Sequence, residues 1–89
     1  MDNNLLSLLK IDLGITTQAY DIRLIAYLEA AQKEIEREGV TLGNGVDDSQ
    51  LIVMYAAWLW RRRDSGDGMP RMLRYALNNR VFSQKMGGS

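Results

Sequence analysis

Apolar residues recur along four segments of the chain at the three- and four-residue spacing of an α-helix, and no segment alternates with a period of two. The clearest case is the second segment, in which Leu24, Leu28, Ala31 and Ile35 follow at spacings of four, three and four. These residues share one helix face, opposite a face of charged side chains. The sequence therefore predicts an all-α protein, a small bundle of about four helices with a Gly-rich loop between helices 2 and 3.

The predicted helices run from about Asn3 to Ile11, from after Thr17 to Glu38, from Asp47 through Trp60, and from Pro70 to Lys85. Either Thr16 or Thr17 can cap the second helix. We expect Asp47 and Gln50 to form a capping box at the start of the third. Residues 1–86 are expected to form a single domain, followed by a flexible tail over 87–89.

The body of the third helix, Leu51 to Trp60, is apolar on nearly every side and must therefore be surrounded by protein. Ten residues rise about 15 Å, only half of a bilayer core of about 30 Å, so this helix is predicted to be buried and not to span a membrane. The first nine residues lack the basic start of a signal peptide. We expect a soluble, intracellular protein.

Composition narrows the chemistry open to the chain, which has 89 residues, no His and no Cys. Without these residues it cannot build a zinc finger, a thiolate nucleophile or a His-based proton relay. Asp47 and Asp48 are interpreted as helix-start residues and not as a catalytic or metal-binding pair. The glycines around Asn44 lack the Lys of a phosphate-binding loop. We therefore expect no enzyme activity, no cofactor and no metal.

Charge is divided along the chain. Residues 1–48 hold four Lys/Arg and nine Asp/Glu, whereas residues 49–89 hold seven Lys/Arg and two Asp/Glu, so net charges of −5 and +5 cancel. Neighbouring helices of one chain can neutralise each other in this way. Alternatively, an acidic face of one subunit meets a basic face of the next, a contact that closes into a ring. The sequence leaves both interpretations open.

Two groups of side chains are candidates for partner contacts. Three consecutive arginines, Arg61 to Arg63, either contact phosphates or interact with the C-terminal end of the helix dipole. Their side chains point in three directions, and three cations are more than the C-terminal end of a helix requires. Trp58 and Trp60 lie about 200° apart around the helix, which predicts that one is in the core and the other is exposed to a partner.

An ordered set of residues spans nearly the whole chain: Lys10-Ile11-Asp12, Asp21, Leu24, Leu28, Ala30-Ala31, Glu34-Ile35, Asp48, Leu51, Met54 to Trp60, Arg62 and Met69-Pro70. This set resembles the small head-tail connector (adaptor) proteins of tailed bacteriophages and prophages. The chain departs from that pattern after Asp12, where Leu-Gly-Ile-Thr-Thr stands in place of a more acidic stretch.

The resemblance implies a structural virion protein at the head-tail junction, assembled in the host cytoplasm. Such subunits form an oligomeric ring between the portal protein and a tail-side head-completion protein, and they extend the DNA channel. The implied partners are further copies of the chain, these two proteins and, non-specifically, DNA; no membrane or small-molecule substrate is implied. Candidate partner or DNA-channel contacts are then Arg61, Arg62, Arg63, Arg71, Arg74 and Arg80, and candidate interface aromatics are Trp60 and Tyr75.

A DNA-binding or regulatory module is the alternative. It would use Arg61 to Arg63 and the basic last helix, and it requires duplex binding with a steep salt dependence. The break from Asp64 to Met69 is longer than the tight turn of a helix-turn-helix, and the third helix is too apolar to enter a groove. The connector is therefore the favoured hypothesis.

Overall fold

The computed structural model describes residues 3–43, 45–66 and 68–87. Its four α-helices are α1 (Asn3–Leu13), α2 (Asp21–Arg37), α3 (Val46–Ser65) and α4 (Arg71–Gly87). No strand occurs in these ranges. The predicted all-α bundle of four helices is therefore confirmed.

The central element is α3, which packs against each of the other three helices. Tyr20, just before α2, contacts Trp60 near the end of α3, so α2 runs antiparallel to α3. Arg80, late in α4, pairs with Asp48 at the start of α3, and α4 is therefore antiparallel to it as well. Successive helices thus alternate in direction, with α3 between α2 and α4.

The core explains the central position of α3. Asp48 is buried near the start of the helix, and six residues of the apolar body are buried as well: Leu51, Ile52, Val53, Tyr55, Ala56 and Ala57. The predicted stripe of α2 is fully buried against them. Leu9 of α1 and Leu73 and Leu77 of α4 complete the core. Each such side chain contributes about 1.5 to 3 kcal/mol when it leaves water.

The predicted caps of α2 and α3 are wrong. The N-cap of α3 is Gly45, which has no side chain, and the helix begins at Val46, so Asp47 is already in its second position and forms no capping box with Gln50. Tyr20 occupies the N-cap of α2 without a side-chain hydrogen bond. The Thr17 hydroxyl instead accepts the N–H of Ala19 within the preceding turn.

The helix ends lie close to their predicted positions. α1 continues to Leu13 and stops at Gly14, and α2 is followed by Gly39; both glycines have positive φ angles, of 72° and 100°, which other residues rarely adopt. α4 includes Gly87, the first residue of the predicted tail, whereas residues 88 and 89 lie outside the described residues.

The loop between α2 and α3 is fastened to the bundle through its backbone. The Thr41 N–H donates to Oε1 of Gln84 at 2.7 Å, and Nε2 of Gln84 donates back to the Thr41 carbonyl at 2.9 Å. The Gly43 N–H donates to Oδ2 of Asp48 at 2.6 Å. Since Val40 is buried, this segment is part of the packed structure and positions the last turns of α4. Asn44 lies outside the described residues.

Candidate functional site

The three consecutive arginines at the end of α3 do point in three directions. Nη2 of Arg61 donates to the carbonyl of Asp12 at 3.2 Å and to its carboxylate at 3.3 Å. The Arg62 guanidinium lies 4.9 Å from the centre of the Trp58 ring, and that of Arg63 lies 3.8 Å from the centre of the Trp60 ring. Each guanidinium therefore has a contact within the chain, and Arg62 and Arg63 are held by cation–π attraction.

Trp60, a candidate interface aromatic, lies in a cluster on the α2–α3 side of the bundle. Tyr20 and Tyr27 meet its ring edge-on, with centroids 5.7 and 5.6 Å away. Arg63 covers the ring. The half-buried indole is thus largely occupied by contacts that help to fasten α2 to α3.

Trp58 lies on the side of α3 that faces the α3–α4 connection. Its ring packs edge-on against Tyr55 at 5.3 Å, and its Nε1–H donates to the Gly68 carbonyl at 3.2 Å. Like Trp60 it is half-buried. The expectation that one tryptophan is in the core and the other exposed is therefore wrong: each has an apolar face inside and an edge at the surface.

The arginines of α4 differ in their surroundings. Arg80 pairs with Asp48, and Arg74 lies 3.2 Å from a carboxylate oxygen of Glu38 at the end of α2. Arg71 is exposed and has no ion-pair partner among the described residues. Of the six candidate arginines, Arg71 is thus the one whose guanidinium has no described partner.

The charge division along the sequence is partly neutralised within the chain. Three ion pairs, Arg61–Asp12, Arg74–Glu38 and Arg80–Asp48, each join the basic second half to the acidic first half. They involve three of the seven basic residues after position 48. The intramolecular interpretation therefore holds for these three.

An apolar row lies exposed on the outer face of α4. Met72, Tyr75, Phe82 and Met86, which we call the α4 stripe, are each 60–77 % exposed. With Asn79 among them they recur at spacings of three, four, three and four. At 100° per residue the stripe lies about 160° from the buried row of Leu73 and Leu77. α4 thus has two opposite apolar faces, and among the described residues only the inner face is covered by the rest of the bundle.

Tyr75 is the one residue of this stripe among the predicted interface aromatics. The signal that reveals the rest is a second row with the same helical spacing as the inner one, in a helix that contains no acidic residue.

A groove lies between α1 and α3, and we call it the α1–α3 groove. It has a volume of about 270 Å³ and is lined by Leu8, Ile11, Asp12, Gln50, Val53 and Met54. Met54 also borders two clefts between α3 and α4, of about 360 and 270 Å³. Met54 therefore borders all three depressions, and the two clefts are also lined by Met72 of the α4 stripe and by Asn79 within its row.

Among the titratable groups of the described residues, Tyr55 has a clearly displaced pKa. Burial raises the pKa of its phenol above the ordinary value of 10.0, and the negative charges of Glu34 and Glu38 raise it further. The residue is buried and also borders a separate depression of about 370 Å³, whose lining includes Glu34, Trp58 and Arg62. Burial is the largest cause of the raised pKa.

The described ranges 3–43, 45–66 and 68–87 contain no group of three or more metal-ligating side chains that could hold an ion. No helix among them has both the length and the apolar character needed to span a membrane.

Comparisons with protein-family models, with curated proteins and with solved structures gave no match to this chain.

Proposed function

We propose that this protein is a non-enzymatic structural subunit, a head-tail connector of a tailed bacteriophage or prophage. In this role it forms an oligomeric ring between the portal and the tail-side proteins and extends the DNA channel. The observation that carries the assembly part of the proposal is the α4 stripe. Four large side chains of about 150 to 250 Å² each, two-thirds exposed, leave on the order of 500 Å² of apolar surface. An exposed apolar row of this size on a small protein is often an interaction site.

The shape of the bundle also favours assembly. Its extents are 45 × 28 × 17 Å, which describes a thin slab. The accessible surface is 6038 Å², whereas a monomer of this mass has about 5,300 Å². A thin subunit has a small core, so contacts with neighbours add a large share of its stability.

The phage-specific part of the proposal is supported by the sequence. The residues that resemble head-tail connectors include Met54 and Tyr55 in α3, and Met69-Pro70 at the start of α4. Met54 borders the α1–α3 groove and both clefts between α3 and α4, and Pro70 precedes the helix that carries the α4 stripe. The resemblance therefore falls on the elements that offer surfaces for assembly.

The ion pairs weigh against the DNA-binding alternative. Arg61 and Arg74, which would contact phosphates, have carboxylate partners within the chain, and Arg62 lies on an indole face. A groove-binding surface needs several unpaired cations on one face to displace counterions. Sequence-independent contact with DNA in a channel requires far fewer unpaired cations.

Negative-stain electron microscopy of the purified protein, alone and mixed with the portal of the same phage or prophage, tests the proposal. We expect rings with a central hole, or an added ring on the portal. Light scattering after size-exclusion chromatography gives the mass of the assembly. A chain that stays monomeric at high concentration and does not bind the portal would contradict the proposal, and salt-sensitive binding of free duplex DNA would favour the alternative.

A further inference from the structure

We infer that the α4 stripe of one subunit lies in the α1–α3 groove of a second copy of this chain, so that subunits join head to tail. The inference rests on the proposed function, because it identifies the two surfaces that form the contact between subunits of the ring.

The α4 stripe has the geometry of a helix that binds in a groove. Its apolar side chains recur at the three- and four-residue spacing that places them in one straight row. Asn79, in the middle of this row, supplies a polar side chain that fixes the register of a packed helix. The exposed apolar area, on the order of 500 Å², is more than half of the roughly 800 Å² that each partner buries in a standard interface.

The α1–α3 groove has a matching apolar lining. Ile11 is 77 % exposed, and Leu8 and Met54 are the other large apolar side chains at its surface. Val53 forms its floor and is buried. An Ile this exposed beside a concave apolar surface is covered when a helix occupies the groove.

Charge favours binding of the α4 stripe in the α1–α3 groove over its packing against the α4 of a second copy. The α4 sequence contains Arg71, Arg74, Arg80 and Lys85 and no acidic residue. Of these, Arg71 and Lys85 flank the stripe, and neither has an ion-pair partner among the described residues. Packing α4 on α4 would thus bring cations together with no carboxylate between them. The α1–α3 groove is instead lined by one carboxylate, that of Asp12, which pairs with Arg61, and by no cation, so the basic helix meets less repulsion there.

The two surfaces are different patches of the same subunit, and their contact is therefore heterologous. Each subunit offers its stripe to one neighbour and its groove to another. Such a contact propagates until the rotation between neighbours closes a ring.

Two substitutions at exposed positions test the pairing. Phe82→Glu puts a charge into the stripe, and Ile11→Arg puts a cation where the basic helix enters the groove. Ile22, on α2, is 87 % exposed and lies outside both surfaces, so Ile22→Glu and Ile22→Arg are matched controls. Circular dichroism and thermal unfolding check that all four variants are folded.

Association is measured by analytical ultracentrifugation of the full chain over a wide concentration range. We expect Phe82→Glu and Ile11→Arg each to raise the dissociation constant by at least about 30-fold, the effect of losing one hot-spot residue, and the controls to leave it unchanged. A mixture of the two variants is the decisive sample. The intact groove of the first and the intact stripe of the second form one good contact, so the mixture is expected to yield a one-to-one dimer that grows no further.

Three results would overturn the inference. If Ile11→Arg associates like the wild type while Phe82→Glu does not, α4 binds elsewhere, and the ring proposal itself still stands. If the mixture of variants stays monomeric, the intact stripe of one variant does not bind the intact groove of the other, and the pairing is wrong. If the wild-type chain is monomeric throughout, it does not bind its own copy, and the connector proposal is then decided separately by the portal-binding experiment.

Discussion

Arg80 of α4 and Asp48 of α3 form an ion pair in which the second carboxylate oxygen of Asp48 also accepts the backbone N–H of Gly43. One buried carboxylate thus connects α3, α4 and the loop that precedes α3. A carboxylate with two such partners satisfies its charge within the protein, but removing that charge leaves Arg80 without its partner.

We therefore expect Asp48→Asn to lower the free energy of unfolding by about 2 to 3 kcal/mol, because a partly buried cation loses its counter-charge. Urea unfolding followed by circular dichroism measures this loss. Asp47→Asn removes the same charge at the preceding, exposed position, and it is expected to change the free energy of unfolding by less than about 0.5 kcal/mol. Equal effects of the two substitutions would contradict the role given to Asp48.

Substitutions of the two candidate interface aromatics, Trp60 and Tyr75, are expected to differ in their effect on stability. Trp60→Leu removes a ring that packs on Tyr20 and Tyr27, so it should cost about 2 kcal/mol of stability. Tyr75→Leu changes a residue that is exposed on the α4 stripe, and it should leave stability within about 0.5 kcal/mol. Thermal unfolding at a concentration where the chain is monomeric separates the two, and a large loss in the Tyr75 variant would be inconsistent with its placement.

The buried phenol of Tyr55 predicts a loss of stability at alkaline pH. Its pKa is raised by burial and then by Glu34 and Glu38, so the folded protein holds this proton more tightly than the unfolded chain does. The corresponding stability is complete below the ordinary pKa of about 10 and is lost as the pH rises above it.

Unfolding by urea at a series of pH values from 8 to about 11 measures this effect. We expect Tyr55→Phe, which has no phenolic proton, to lose less stability than the wild type across that interval. Tyr75→Phe removes an exposed hydroxyl and should follow the wild-type curve. Parallel curves for the wild type and the Tyr55 variant would show that other groups dominate alkaline unfolding.

Gly39 is expected to tolerate a side chain poorly. Its φ angle is 100°, and an added Cβ would meet only Val81 at an ordinary 3.9 Å, so the cost comes from the backbone and not from crowding. Gly39→Ala should lower stability by about 1 to 2 kcal/mol. Gly68, with no atom near its Cβ position and no positive φ, is the control, and Gly68→Ala should be neutral or slightly stabilising.

The helical faces of this protein could be predicted from the sequence because helix periodicity depends on the chain alone. Leu24, Leu28 and Ile35 repeat at core spacing, and all are buried. The starts of α2 and α3 could not be predicted from Thr17 or Asp47, because packing of the following helix places its first turn, and a favourable capping residue one or two positions away does not override it.

The ion pairs and the assembly surfaces depend on which helices lie side by side. The total charge of each half could be counted, but the pairing of Arg74 with Glu38 requires that α4 pass the end of α2. The full α4 stripe could not be predicted from the sequence for a different reason. In α4 the outer row around Phe82 competes with the inner row around Leu77, and a search for one apolar face accounts for only one of them.

The paired hydrogen bonds between the Gln84 amide and the Thr41 backbone join two neutral groups. Added salt screens the attachment of α4 through Arg80 and Arg74, whereas a bond between uncharged amides is nearly indifferent to ionic strength. The hydrogen bonds between Gln84 and Thr41 therefore still hold α4 to the loop at high ionic strength. An assembly that dissociates in concentrated salt while Thr41 and Gln84 stay protected from hydrogen exchange would have lost its contacts between molecules and kept its helix in place.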